Sequence, residues 1–272
     1  MSSDPAPAEP VGPRHPALTT ELADGELEVT GRLLQASNAT FLATLHSAGS
    51  DVQCVYKPMK GERPLWDFPE HTLALREVAA YEVSRLGGFD LVPVTVLVDG
   101  PVGVGSLQVW VEEDEEDPEP LVDIVSSAQV PRPGYFDVVE GLDARDRPVA
   151  VVHADHPRLR LMATFDALIN NADRKGGHIL ASAGAVFGVD HGISFHTEPK
   201  LRTLLWGWAG KPLERQAIEA VGRVRADAAS LLESLLSAQE IDALLWRADR
   251  LLGEGCLPQP GDDWPSIPWP PF

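Results

Sequence analysis

Apolar and polar residues alternate through "LEVTGRLLQASNATFLATL", from Leu27 to Leu45, and the alternation breaks at "QASNAT". That pattern predicts two strands around a polar turn. "VQCVYKP", from Val52 to Pro58, predicts a third strand, closed by a proline that has no N–H for a ladder. In "HTLALREVAAYEVSRLGG", from His71 to Gly88, the apolar residues recur at helical spacing and end on Gly-Gly, which predicts a helix with a C-terminal stop. "LVPVTVLVDG" and "GSLQVWVEE" predict two further strands joined by a turn. The first 115 or so residues are therefore expected to form a mostly antiparallel sheet with one helix inserted after its third strand.

The second half changes period. "HPRLRLMATFDALINNAD", from His156, reads as a helix, and "NNADRKGGHILASAGAVFGVDHG", from Asn170 to Gly192, as two short strands around a Gly-rich turn. Ala217 to Leu252 is helical in pattern, with "SAQE" from Ser237 as a capping box for the last helix. The expected organisation is a disordered Pro- and Ala-rich segment over 1–17, a β lobe over 18–113, a mainly helical lobe over 114–256 and a Pro-rich tail over 257–272. The tail carries two tryptophans and is expected to pack as an extended segment, because exposed Trp is costly. The acidic run "EEDEEDPEP" reads as a solvated loop, and no internal repeat is present.

Composition narrows the function classes. At 44% hydrophobic and 23% charged residues the chain is ordinary globular protein, and no apolar run approaches the roughly 18 to 20 residues of a membrane span. Nothing at the N-terminus reads as a secretory signal, and Cys54 and Cys256 form no CxxC pair, so a reduced cytoplasmic protein with structural thiols is expected. Twenty-two basic against 41 acidic residues give a charge of −19, which repels nucleic acid and anionic bilayers. Neither nucleic acid nor a stable membrane association is expected. A nucleotide would still bind where local cations, backbone N–H groups or a metal ion overturn that field.

A β lobe, a helical lobe and charged residues at their junction make the layout that phosphoryl transfer uses, because that chemistry needs positioning and charge neutralisation. Lys57 ends the third strand and can reach phosphate oxygens; Glu77 on the following helix can pair with it, with Glu82 as its competitor. Asp173 follows a helix, Asp190 follows the strand "GAVFGV", and the two are 17 residues apart. Asn38, Ala39 and Thr40 in "QASNAT" are candidates to present backbone N–H groups to phosphate. Gln108, Trp110 and Val111 in "SLQVWVE" fall on the strand expected to join the lobes and meet an adenine, although a tryptophan there is more often core. His153, His156 and His196 are expected at the surface or in caps.

The strings "VYKP", "REVAAY", "NADRKGGHIL" and "VDHGISF" resemble the actinobacterial branch of phosphatidylinositol 3- and 4-kinase-like proteins and, more distantly, HipA-type protein kinases, over about residues 27–210. The resemblance implies an α+β, bilobal protein-kinase-like fold, with an antiparallel N-terminal β lobe carrying one helix and a mainly helical C-terminal lobe. It places the catalytic Asp of a "DR(H/K)xxN" loop at Asp173, with Lys175 as that loop's second basic position, and the metal-binding Asp at Asp190. His178 stands where the family has a metal-binding Asn. Mg2+ prefers oxygen and imidazole suits later first-row ions, so the implied cofactors are ATP with Mg2+ or Mn2+. The implied activity is phosphoryl transfer to a hydroxyl acceptor on a protein or small molecule, a lipid being less expected. Two alternatives stand beside it: a pseudokinase that binds nucleotide or a partner without turnover, and a metal-dependent phosphohydrolase using His178, Asp190 and His191.

Overall fold

The alternating segments become sheet. In the computed structural model, which describes Leu22 and residues 25–33, 38–46, 51–114, 119–261 and 265–272, strands β1 (Glu26–Arg32), β2 (Phe41–His46), β3 (Asp51–Pro58), β4 (Thr95–Gly100) and β5 (Gly103–Val109) form one antiparallel sheet. Its order is β1-β2-β3-β5-β4. On β3, Cys54 and Tyr56 face the core, so Val55 and Lys57 face the other way. The Cys54 thiol is buried and its pKa is pushed up to about 12 by that burial, which fits a packing role. The segment 1–17, part of the "QASNAT" turn and part of the acidic run lie outside the described residues.

Helix α1 (Leu73–Gly87) follows β3 and stops at Gly88, whose φ of 65° is the left-handed conformation that glycine adopts without strain. It is buried along most of its length, including Arg76 and Glu77. Helices α2 (Pro157–Ile169), α3 (Arg215–Leu232) and α4 (Ala238–Glu254) make up the C-terminal part, and α1 packs on α3. One continuous core joins sheet and helices, from Tyr56 and Leu107 through Phe165 to Leu244. The fold is α+β, with an antiparallel N-terminal sheet and a helical C-terminal part. Among the described residues, no helix is long and apolar enough to cross a membrane.

Three features depart from the expected elements. Between the sheet and α2 lies a three-stranded antiparallel sheet, β6 (Val122–Ser126), β7 (Tyr135–Leu142) and β8 (Pro148–Ala154), in the order β6-β8-β7. The helical stretch from Ala217 divides after Leu232, and the Ser237–Glu240 capping box starts α4 with both reciprocal bonds present. The tail is extended, as expected, yet Trp269 stays 76% exposed. Backbone bonds hold the tail instead: Ser266 O accepts from Thr203 N at 3.1 Å and from Trp206 Nε1 at 2.9 Å, and Pro271 O accepts from Gly176 N at 2.8 Å. A Cβ on Gly176 would fall 2.3 Å from the Phe272 ring, so only glycine admits that ring.

Arg76 ties α1 to the rest. It is fully buried, donates to Ser194 O at 2.7 Å and forms an ion pair with Glu240 at the start of α4. Burial works against the charge on Glu240, but Arg76 and the Ser237 donors outweigh it, and its pKa is lowered. The contribution of the pair is thus complete above the unfolded value of about 4.3 and is lost as pH falls through the lowered one. Glu240→Gln keeps the capping box and removes the charge. It is expected to destabilise the chain by about 3 kcal/mol at pH 7, read from urea unfolding, because Arg76 is left buried without a counter-charge. A loss below about 1 kcal/mol contradicts this role for the pair.

Candidate active site

A cavity of about 620 Å³ opens between the N-terminal sheet and the helical part. Its lining includes Lys57 and Glu77, the turn residues Asn38, Ala39 and Thr40, the strand-end residues Gln108, Trp110 and Val111, and Asp173, His178 and Asp190. All of these are candidates that the sequence marks. Lys175 does not line the cavity, but its Nζ lies 3.2 Å from Asp173 Oδ2.

Lys57 is the meeting point. Its Nζ lies 2.5 Å from Glu77 Oε1 and 2.8 Å from Asp190 Oδ1, so one ammonium joins β3, α1 and the loop that follows the short hairpin of Ile179–Ser182 and Ala185–Gly188. Burial alone would lower the Lys57 pKa, but Asp190 and Glu77 more than offset it and raise it. The Lys57 ammonium in turn holds the Asp190 carboxyl well below the usual carboxylate range, against a smaller opposing effect of burial. The second Glu77 oxygen accepts from His191 N at 2.8 Å, which fixes the carboxylate and places Asp190 beside it. Asp190 adopts φ 59°, a left-handed conformation that Asp tolerates better than most residues. Glu82, the competing carboxylate, points elsewhere and pairs with Arg85 on its own helix.

The Asp173 loop is built from below. Helix α2 ends at Asn170 with φ 55°, and the Asn170 amide donates to His196 O and Glu198 O, so the chain turns sharply out of the helix. Arg174 does not pair with its neighbour Asp173. It points inward, fully buried, with Nη2 3.0 Å from Asp166 Oδ1 on α2, and its Nη1 donates at 3.0 Å to both His178 O and Val189 O. One guanidinium therefore holds both loops of the site in register. The Arg174 Nη2 also lies 2.6 Å from His191 Nε2. A guanidinium only donates, so His191 is neutral there, in keeping with a pKa that burial and then Arg174 drive well below its ordinary value. Sequence reasoning misses Asp166 and Arg174 as structural centres, because burial of this kind leaves no periodic signal.

Asp173 faces the cavity with its backbone fixed by the Asn171 side chain, which accepts from Asp173 N at 3.0 Å. Burial raises its pKa, with Lys175 and His178 opposing. A carboxylate so tuned is suited to accept a proton. His178 Nδ1 donates to Asp173 O at 2.8 Å, and His178 Nε2 lies 3.4 Å from Asp190 Oδ2. In the neutral ring these are two lone-pair donors facing each other, an arrangement that fits a shared cation. Among the described residues no three His, Cys, Asp or Glu side chains gather as a metal cluster. His191 is fully buried with its Nε2 against Arg174, and it does not line the cavity.

The remaining candidates are placed less freely than expected. Ala39 N already donates to Gly61 O at 3.1 Å, and Asn38 Oδ1 accepts from Arg63 N at 2.9 Å, so the turn is pinned to the Met59–Gly61 segment and Ala39 offers no spare N–H. The Gln108 amide is buried and donates to Thr95 Oγ1 at 2.8 Å. Trp110 is not core: it is 42% exposed on the cavity rim, while its backbone N–H goes to Gln53 O. His153 is not at the surface but fully buried, accepting from Gly207 N, whereas His156 caps α2.

No family model matches the chain. A protein of Mycobacterium tuberculosis, Protein Rv2133c, is 52% identical over 263 residues, covering 92% of this chain and 94% of its own. The chain belongs to the family of Protein Rv2133c. The crystal structure of the Helicobacter pylori proinflammatory kinase CtkA is a looser likeness, at TM-score 0.44 and 11% identity over 87% of this chain and 94% of that one.

The charge coupling at Lys57 is directly measurable. In the intact chain the Asp190 carboxyl stays ionised below the ordinary range, and Lys57→Met is expected to return it toward about 3.9. Carboxyl carbon shifts followed by NMR between pH 2 and 6 check this. An unchanged Asp190 titration in the variant contradicts the coupling.

Proposed function

We propose that the chain is a kinase-like phosphotransferase, which binds ATP with a divalent ion and transfers a phosphoryl group to a hydroxyl on a protein or small molecule. One observation carries the reading: Lys57, bridged to Glu77 and Asp190, faces the same cavity as Asp173. The resemblance of the strings around these residues to phosphatidylinositol 3- and 4-kinase-like and HipA-like proteins supports it further. With the ligand bound, Lys57 keeps Glu77 and turns its charge to phosphate oxygens. Asp173 orients the acceptor hydroxyl and takes its proton, and Lys175 steadies the carboxylate. Asp190 and His178 would hold the ion. A divalent ion in that place supplies charge neutralisation on the phosphates. The cavity wall from Val55 to Leu180 and Val189 gives the apolar surface that a base needs.

The binding-only alternative draws on one observation, the His178 imidazole in place of an amide. Two carboxylates with different tasks separate the readings. Asp190→Asn is expected to weaken ATP binding in the presence of Mn2+ by tenfold or more, whereas Asp173→Asn keeps binding and lowers the single-turnover rate about 10²-fold or more. Isothermal titration beside a rapid-quench assay for ADP reads both. Binding without turnover in the intact chain establishes the pseudokinase, and loss of binding in neither variant removes the site assignment. The ion itself is tested through His178. Mn2+ is expected to support nucleotide binding better than Mg2+, and His178→Asn to shift the preference toward Mg2+. Equal metal dependence in both proteins rules His178 out as a ligand.

A further inference from the structure

The Pro-rich segment over 265–272 lies against the loop that carries Asp173 and touches it at two places. Ser266 O accepts from Thr203 N, and Thr203 forms a parallel bridge with Arg174, the residue after Asp173. Pro271 O accepts from Gly176 N at 2.8 Å, at the first residue of the short turn Gly176–His178. The far end of that turn is held without the segment, because His178 O accepts from Arg174 Nη1 and donates nothing to the tail, while Val189 N also bonds to it at 3.0 Å. The segment therefore bears on the loop at Gly176, one residue from Lys175, whose Nζ reaches the Asp173 carboxylate.

The residue type at position 176 points the same way. Gly176 is buried and its φ is not positive, so its backbone conformation is open to any residue. What glycine supplies there is room, since the Phe272 ring occupies the place of a Cβ. Gly177 beside it differs, because a Cβ there meets nothing within 4 Å. Pro265, Pro268, Pro270 and Pro271 restrict the free segment, which reduces the conformational entropy lost on seating it. We propose that residues 266–272 form a strap that holds the Asp173 loop in its working shape, with Phe272 as a positioning residue. The consequence for transfer rests on the phosphotransferase reading of the cavity. Without the strap the Lys175–Gly176 stretch loosens and the Asp173 carboxylate loses its alignment, while Lys57 keeps its bonds to Glu77 and Asp190.

The test uses the full chain with three substitutions: Gly176→Ala, which pushes the ring off its seat, Phe272→Ala, which removes the ring, and Phe272→Tyr, which keeps it. Hydrogen exchange of the amide at position 176, followed by NMR without nucleotide, is expected to be about tenfold or more faster in the two alanine variants and unchanged in Phe272→Tyr. In single turnover with ATP and Mn2+ the alanine variants are expected to form ADP about tenfold or more slowly, because a small misplacement of a reacting group is costly. Their affinity for ATP by calorimetry should stay within about threefold of the intact chain, and Phe272→Tyr should match it in both assays. Unchanged exchange in both alanine variants overturns the strap. Faster exchange with an unchanged ADP rate overturns the positioning of Asp173, and so does a loss of ATP affinity as large as the loss of rate. If the intact chain itself forms no ADP, the phosphotransferase reading fails, and the exchange at position 176 alone decides for or against the strap.

Discussion

One ammonium shared by two carboxylates sets the geometry of the candidate site. Lys57 comes from the sheet, Glu77 from α1 and Asp190 from a loop 133 residues downstream of the lysine, and the three meet within 2.8 Å of a single nitrogen. In a chain of charge −19, such a cation would be drawn to many acids. Its position is fixed because Glu77 is buried and held from its other side by the His191 amide. Asp190, 52% exposed, is the exchangeable partner, since it faces the cavity. On the proposed function, a phosphate arriving there would compete with Asp190 for Lys57, while a cation arriving with it would compensate Asp190, so that no bare charge would be left in the cleft.

Beneath that exchange the scaffold is rigid for a different reason. Arg174 has no exposed surface and commits its donors to Asp166, two loop carbonyls and His191, so the Asp173 loop and the Asp190 loop cannot move independently. Buried pairs of this kind contribute little net stability relative to apolar packing, but breaking one is strongly destabilising. Their effect here is registration: Asp173 and Asp190 keep their separation because the residue after Asp173 is anchored under both. The tail adds a contact from outside, where Pro271 and Phe272 sit on Gly176 within the same loop.

Much of the N-terminal sheet is legible in the sequence because β1 and β3 each have one wetter and one drier face, and alternation records that difference. The helix stop at Gly88 and the capping box at Ser237 are legible because each needs a particular residue type at one position. The sheet over 122–154 escapes such a reading, although "YFDVVEGL" and "PVAVVHA" flank a polar turn, because much of it is half-exposed and its apolar run is short. Lys57, Glu77 and Asp190 are marked by their order along the chain and by resemblance, and the structure brings them together. What the sequence does not convey is commitment: that Ala39 N–H is already bonded to Gly61 O, that Trp110 stands on a rim, and that Arg174 looks inward. Each depends on where a side chain or amide points after folding.

On the proposed function, Lys57 faces the phosphates of a bound nucleotide. An acyl-phosphate derivative of ATP, which acylates an amine lying beside its phosphates, tests this without any acceptor substrate. Acylation is expected at Lys57, found by peptide mass mapping, and is expected to be suppressed by excess ATP with Mn2+. Acylation that misses Lys57, or that excess ATP does not suppress, would contradict it.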